Sequence, residues 1–303
     1  MKLLISCVFI FLLLTFLSCQ SSKKSDEPKI NGVNKLDMYL FIGDSKTSGG
    51  VNTEPVWWDP KYNVVSPRSL ILYRDNRVRG DESTVRWLKY DPHSNRAPGY
   101  GPVNPDPPYR VGYDNSFMWY MRTHTDKNIG LLKWALGGTT LIASPGADTD
   151  WNTKTSEMYH HLVADYANNA SGKAKDAGYA NCDLKAVFVS LGTNDCLKGI
   201  WNNSAFTNSL SEFVLALRLT FDKADLPIYW QQVRSDLSLH PSGNYSVNAV
   251  TQCRAAILDY ANDDDNFHVL DYESTTLTSD GVHEDEISCE EIGLNIASIF
   301  ISL

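Results

Sequence analysis

The chain has 303 residues, with 27 Lys+Arg against 36 Asp+Glu and a formal net charge of −9. Its 43% hydrophobic and 21% charged residues are those of a folded globular protein with ample core, which excludes wholesale disorder. The acidic balance argues against a nucleic-acid partner, which requires cations to neutralise phosphates. No stretch beyond the N-terminus approaches the ~18 apolar residues of a membrane span.

The N-terminus carries an export pattern. Lys2 supplies a positive end, and residues 3–17 are apolar apart from Ser6, Cys7 and Thr15. That is signal-peptide length and short for a spanning helix. The stretch closes on Leu17-Ser18-Cys19, followed by polar residues 20–27. A small residue before a cysteine resembles a bacterial lipobox, although Phe16 stands where Leu is usual. The resemblance implies a signal over residues 1–19, lipid on Cys19 that attaches the protein to a membrane, and a flexible tether over residues 20–34. An ordinary cleaved signal is the alternative. Either way the expected location is outside the cytoplasm, as an outer-membrane or cell-surface lipoprotein, or in the periplasm and secreted.

Short apolar runs follow at residues 38–42, 129–136, 184–191, 227–233 and 267–271. Unbroken runs of this kind suit strands buried on both faces of a parallel sheet. Helical patterns lie between them, over residues 115–125, 155–176, 204–224, 247–262 and 285–300. In the third of these, Phe206, Leu210, Phe213, Val214, Leu217 and Phe221 recur at three- and four-residue steps. Alternating strand and helix predicts an α/β fold: one three-layer α/β/α domain over residues 35–303 around a five-stranded parallel sheet with right-handed crossovers.

One segment breaks the alternation. Residues 51–113 separate the first strand from the first helix, far beyond the usual connection of about 2–6 residues. The segment holds Trp57, Trp58, Trp87, several tyrosines and arginines such as Arg68, and many prolines. It reads either as a lid or substrate-binding wall over the sheet edge, or as a structural cap with ordinary Arg–carboxylate pairs.

Of six cysteines, Cys182, Cys196, Cys253 and Cys289 lie beyond the N-terminal segment. They predict one or two bridges, or buried free thiols; sequence does not choose the pairing. No Cys/His spacing suggests a metal. His160-His161 falls in a helical pattern, where adjacent residues do not share a face. Asp263-Asp264-Asp265 lacks the spaced oxygens of a calcium loop and reads as a solvated turn.

Four short motifs sit at the ends of predicted strands or just after them: Gly43-Asp44-Ser45, Gly137-Gly138-Thr139, Gly192-Thr193-Asn194-Asp195 and Asp280-Gly281-Val282-His283. In a parallel sheet these ends are neighbours on one edge, so residues remote in sequence can meet there. A serine hydroxyl needs a base to become a nucleophile. His283 can be that base, and Asp280 can reach its other ring nitrogen to fix the tautomer and stabilise the imidazolium. An attacked ester carbonyl becomes an oxyanion, for which the backbone N–H groups of Ser45 and of Gly137 or Gly138 and the Asn194 amide are candidate donors. Each motif alone is weak; their order along the chain carries the signal.

On these motifs the chain resembles the SGNH (GDSL-type) hydrolases, and more narrowly their sialate O-acetylesterase-like carbohydrate esterase branch. The resemblance covers residues 35–303. It implies a flavodoxin-like sandwich, no metal and no cofactor, and removal of acetyl groups from an acetylated carbohydrate. It also implies Ser45 as nucleophile, His283 as base, Asp280 as its partner, and an oxyanion hole of Ser45, Gly137 or Gly138, and Asn194. Two departures stand out: Asp44 replaces the branch's usual Gln, and Lys46 its usual Asn. Lys46 reads as a solvated lysine, with a substrate carboxylate as the alternative partner. His240 follows the fourth predicted strand and is a weaker candidate for substrate contact. Two rival functions remain, a lipid or thioester hydrolase on the same triad and a non-catalytic glycan-binding surface lipoprotein.

Overall fold

The computed structural model describes residues 35–48, 51–52, 60–63, 66–74, 85–89, 110–143, 150–154, 159 and 165–303. The strands are β1 (Lys35–Gly43), β2 (Val51–Asn52), β3 (Ser69–Arg74), β4 (Val85–Lys89), β5 (Arg110–Val111), β6 (Asn128–Ala135), β7 (Asn181–Ser190), β8 (Ile228–Gln231) and β9 (Phe267–Leu270). The helices are α1 (Ser45–Ser48, a single turn), α2 (Tyr113–His124), α3 (Asp165–Asp176), α4 (Asn203–Thr220), α5 (Val247–Asp263) and α6 (Glu286–Phe300). The expected signal, Cys19, the tether, Trp57, Trp58, His160 and His161 lie outside the described residues, as does the start of the helix expected over 155–176.

The main sheet runs β4-β3-β6-β1-β7-β8-β9, and β2 and β5 form a separate two-stranded ribbon. The five strands expected from apolar runs stand side by side and parallel, in the order β6-β1-β7-β8-β9. The sheet is wider than those five. The segment between β1 and α2 adds β3, parallel to β6, and β4, antiparallel to β3. So part of the long insertion is sheet. The Leu70-Ile71-Leu72 run of β3 is buried, as an internal strand requires.

Strand alternation sends side chains to two different layers. Tyr39, Phe41, Phe188 and Tyr229 join one cluster with Phe117 of α2 and Ile292, Ile296 and Phe300 of α6. The rings of Phe41 and Phe117 lie 4.8 Å apart, and those of Tyr229 and Phe300 also 4.8 Å. Trp230, one residue after Tyr229, points to the opposite layer and meets Phe213 of α4 edge-on at 6.2 Å. Helices therefore cover both faces, which is the expected three-layer α/β/α sandwich.

The described parts of the insertion behave as structure. Trp87 is buried in β4 and donates its indole N–H to the Ala170 carbonyl of α3 at 3.1 Å, which removes it from any substrate-binding wall. Arg68 pairs with Asp126 at 2.9 Å and with the Thr125 carbonyl at 3.2 Å. Cys182, Cys196, Cys253 and Cys289 are free thiols, the last three buried. The middle residue of the Asp263–Asp265 run is not a bare solvated group: Asp264 is gripped by both ends of the Arg218 guanidinium, at 2.5 and 3.0 Å.

Candidate active site

Sheet register brings the first three motifs to one level. Gly43 pairs with Ala135 on one side and Ser190 on the other. The pairing continues one step into the turns, where Leu136 N–H donates to Gly43 O at 3.0 Å and Asp44 N–H to Ser190 O at 3.1 Å. Because β1 is flanked by β6 and β7, the crossovers leave it in opposite directions, and its carboxyl end is the switch point where α/β sheets open a crevice. The Ser45, Gly137-Gly138 and Asn194 turns all start there.

Gly43 makes the Ser45 turn fit. A Cβ at this position would lie 2.2 Å from Thr47 Oγ1 and 2.9 Å from the Ser190 carbonyl oxygen. Gly43→Ala is expected to destabilise the fold by about 1–3 kcal/mol, as overpacking does, and to lower any turnover that depends on Ser45 by displacing the α1 turn. Chemical unfolding and kcat measured on the same preparation check both effects.

The fourth motif arrives from the segment before α6. An antiparallel bridge between Leu277 and Glu284, with Thr278 N–H on His283 O at 2.8 Å and Asp285 N–H on Thr276 O at 3.0 Å, folds residues 276–285 into a narrow loop. The Asp285 carboxylate then caps α6 by accepting the Ser288 N–H at 2.8 Å. At the loop tip, Asp280 Oδ2 lies 2.6 Å from His283 Nδ1, and His283 Nε2 lies 2.6 Å from Ser45 Oγ. An ionised carboxylate only accepts, so Nδ1 carries the proton, Nε2 is the acceptor, and the Ser45 hydroxyl donates to it.

Asp280 is fixed for this orientation. Its Oδ1 accepts the Val282 N–H at 2.8 Å, the His283 N–H at 3.0 Å and the Thr278 hydroxyl at 2.8 Å. Burial alone would raise its pKa, but these bonds and the His283 imidazole outweigh that and hold it well below the usual carboxylate range.

The glycine loop is stapled to the Asn194 turn. Asp195, fully buried, accepts the N–H of Leu141 at 2.9 and 3.0 Å and that of Ile142 at 2.8 Å. Burial pushes its pKa up to about 7 against the pull of those bonds. Trp151 donates its indole N–H to Thr139 Oγ1 at 3.0 Å, and that hydroxyl donates to Leu136 O at 2.8 Å. Gly137 and Gly138 are exposed at the crevice. Asn194 directs its amide Nδ2 to Asp44 Oδ2 at 3.2 Å and to the Thr139 carbonyl at 3.1 Å. Asp44 is buried, which lifts its pKa to about 6 although Lys46 opposes the shift.

With this geometry in place, similarity to known proteins can be set beside it. A model of the family described as "Carbohydrate esterase, sialic acid-specific acetylesterase" matches residues 35–302. The chain belongs to this family. It is a carboxylic ester hydrolase of the SGNH type. No curated protein sequence matches it. Among solved structures it is similar to an Arabidopsis thaliana protein, at 20% identity and a TM-score of 0.63, covering 89% of this chain and 99% of that one. It is also similar to a carbohydrate acetylesterase from Xanthomonas citri, at 12% identity and a TM-score of 0.53, covering 86% of this chain and 55% of that one. The M. smegmatis aryl esterase aligns at 13% identity and a TM-score of 0.50, over 88% and 99%. At such identities the likeness is one of fold.

Within this carbohydrate esterase, Lys46 departs from both sequence readings. It is 5% exposed and pairs with Glu284, itself 1% exposed, at 3.2 Å. It is therefore neither solvated nor turned to a substrate carboxylate. Glu284 also accepts the Tyr113 hydroxyl at 2.8 Å and the Gln231 amide at 3.1 Å. The residue after Ser45 is thus tied to the residue after His283. His240, a candidate for substrate contact, has both ring nitrogens engaged within the chain, on Ser242 and on the Asp280 carbonyl. Sequence reasoning passed over Glu284 and Asp195 because an acidic residue beside a motif is ordinarily a solvated one. It also passed over Tyr245, whose ring meets His240 edge-on at 5.5 Å.

Proposed function

We propose that this esterase removes acetyl groups from a carbohydrate through a Ser45–His283–Asp280 triad and an acetyl-enzyme. The observation that carries the reading is the unbroken line of hydrogen bonds from Asp280 Oδ2 through His283 to Ser45 Oγ, with both contacts at 2.6 Å. Ser45 Oγ attacks the ester carbonyl carbon while its proton passes to His283 Nε2. The negative charge on the carbonyl oxygen is met by the backbone N–H groups of Ser45 and of Gly137 or Gly138. The Asn194 N–H now resting on Asp44 Oδ2 at 3.2 Å is the third donor, released to the oxyanion as it forms. Collapse breaks the bond to the sugar oxygen, which takes the proton from His283 and leaves as the sugar hydroxyl. Water then attacks acetyl-Ser45, gives its proton to His283, and the second collapse returns that proton to Ser45 Oγ and releases acetate.

Family membership supports the ester chemistry and the carbohydrate class of substrate. The export pattern of residues 1–19 supports action outside the cytoplasm, on polysaccharide or glycan, from a lipid anchor on Cys19.

Acetate release from a panel of acetylated glycans, run beside nitrophenyl esters of increasing chain length, tests the proposal. The expected result is acetate release, a preference for acetyl over long-chain esters, and a Ser45 peptide heavier by one acetyl group after rapid acid quench. Preference for long chains would replace the substrate class with lipids. Glycan binding without hydrolysis of any ester would overturn the enzymatic reading.

A further inference from the structure

His240 lies between a short 3₁₀ turn at Ser235–Leu239 and the loop that leads into α5, outside every motif the triad uses. Its imidazole is half-buried and is held at both nitrogens. Nδ1 accepts the backbone N–H of Ser242 at 3.2 Å and lies 2.6 Å from the Ser242 hydroxyl. A ring nitrogen that accepts a backbone N–H has no proton of its own, so the proton sits on Nε2. Nε2 in turn lies 2.5 Å from the backbone carbonyl oxygen of Asp280, to which it donates. The Ser242 hydroxyl is itself placed by the Asn244 N–H at 3.3 Å, and the His240 ring is backed edge-on by Tyr245 at 5.5 Å.

The loop it grips is shaped to receive it. Gly281 has φ +70°, a left-handed conformation that side chains avoid. A Cβ there would come within 3.1 Å of His240 Cδ2 and 3.4 Å of Nε2. So the ring rests directly on the Asp280–Gly281 backbone, at the tip of a loop whose other bonds run between its own residues, and it ties that tip to the segment before α5.

We infer that His240 is a positioning residue: its Nε2–H anchors the Asp280 carbonyl and thereby holds the Asp280–His283 turn at hydrogen-bond distance from Ser45. It touches no reacting atom. It acts by fixing the carbonyl of the residue whose carboxylate orients the base, and a small misplacement of such groups lowers turnover. The inference rests on the triad reading above and names an additional member of that site.

The test compares His240→Phe, which keeps a ring of similar bulk without a donor, with His240→Gln, whose amide N–H has about the reach of Nε2. On nitrophenyl acetate, His240→Phe is expected to lower kcat about tenfold with KM unchanged, and His240→Gln to recover most of the loss. Parental kcat in His240→Phe, or equal loss in both variants at equal unfolding midpoints, overturns the inference. If neither variant folds, the parent protein decides through its imidazole ¹⁵N shifts: an Nε2–H tautomer at His240 supports the anchor, and an Nδ1–H tautomer overturns it. A parent without esterase activity would instead sink the triad reading, so the two failures are distinguishable.

Discussion

Ser45→Ala is expected to lower kcat for acetyl-ester hydrolysis by a factor on the order of 10⁶, with the unfolding midpoint unchanged. The substitution removes one oxygen atom, which bonds a partly exposed imidazole rather than a core group. Asp280→Asn is expected to fall by a smaller factor, on the order of 10⁴. An amide at Oδ2 offers His283 Nδ1 a donor or a weak acceptor in place of a charge, so the imidazolium formed during attack loses its counter-ion. On the proposed triad the three groups act as one device, so Ser45→Ala combined with Asp280→Asn should be no slower than Ser45→Ala alone. Steady-state rates of the three proteins check this. Near-parental turnover in Ser45→Ala would place the chemistry elsewhere.

The second large effect is on stability. Lys46→Met is expected to destabilise the fold by about 3–5 kcal/mol, because it leaves Glu284 charged, buried and short of its cation. Tyr113 and Gln231 still donate to Glu284, at 2.8 and 3.1 Å, but neither carries charge. Lys46→Met/Glu284→Gln is expected to lose much less, since removing both ions removes the desolvation cost together with the attraction. Urea unfolding of the two proteins gives the comparison. A single-variant loss under about 1 kcal/mol, the range of a surface pair, would show that the pair contributes no more than an exposed one. Lys46 follows Ser45 and Glu284 follows His283, so the pair joins the two loops beside the proposed nucleophile and base.

The fold was largely legible from apolar patterning. Each of the five expected strands is present, because runs such as residues 184–191 are buried on both sides and need no polar alternation. The helices fell where three- and four-residue spacing placed them, α4 on Phe206, Leu210, Phe213 and Leu217. β3 and β4 were not separated from the insertion, whose arginines, tyrosines and prolines mask two short strands of ordinary length. The motif residues were legible too, because their strand ends are level: Gly43 opposite Ala135 and Ser190. What a single sequence could not show is a contact between two loops. Lys46 with Glu284, and His240 with the Asp280 carbonyl, join positions whose separation carries no local signature. A charged residue or a lone histidine met in isolation defaults to solvent.

All strands of the sheet are laid down by Leu270, yet the imidazole arrives only with the segment that seats α6. Ile292, Ile296 and Phe300 on that helix are wholly buried, each worth roughly 1.5–3 kcal/mol of burial. The element that seals one layer of the molecule is therefore the one that brings the proton acceptor to the serine. On the proposed mechanism, forms in which α6 is not yet seated are expected to be silent toward esters, so turnover regained in a refolding sample should track the closing of that layer rather than the formation of the sheet.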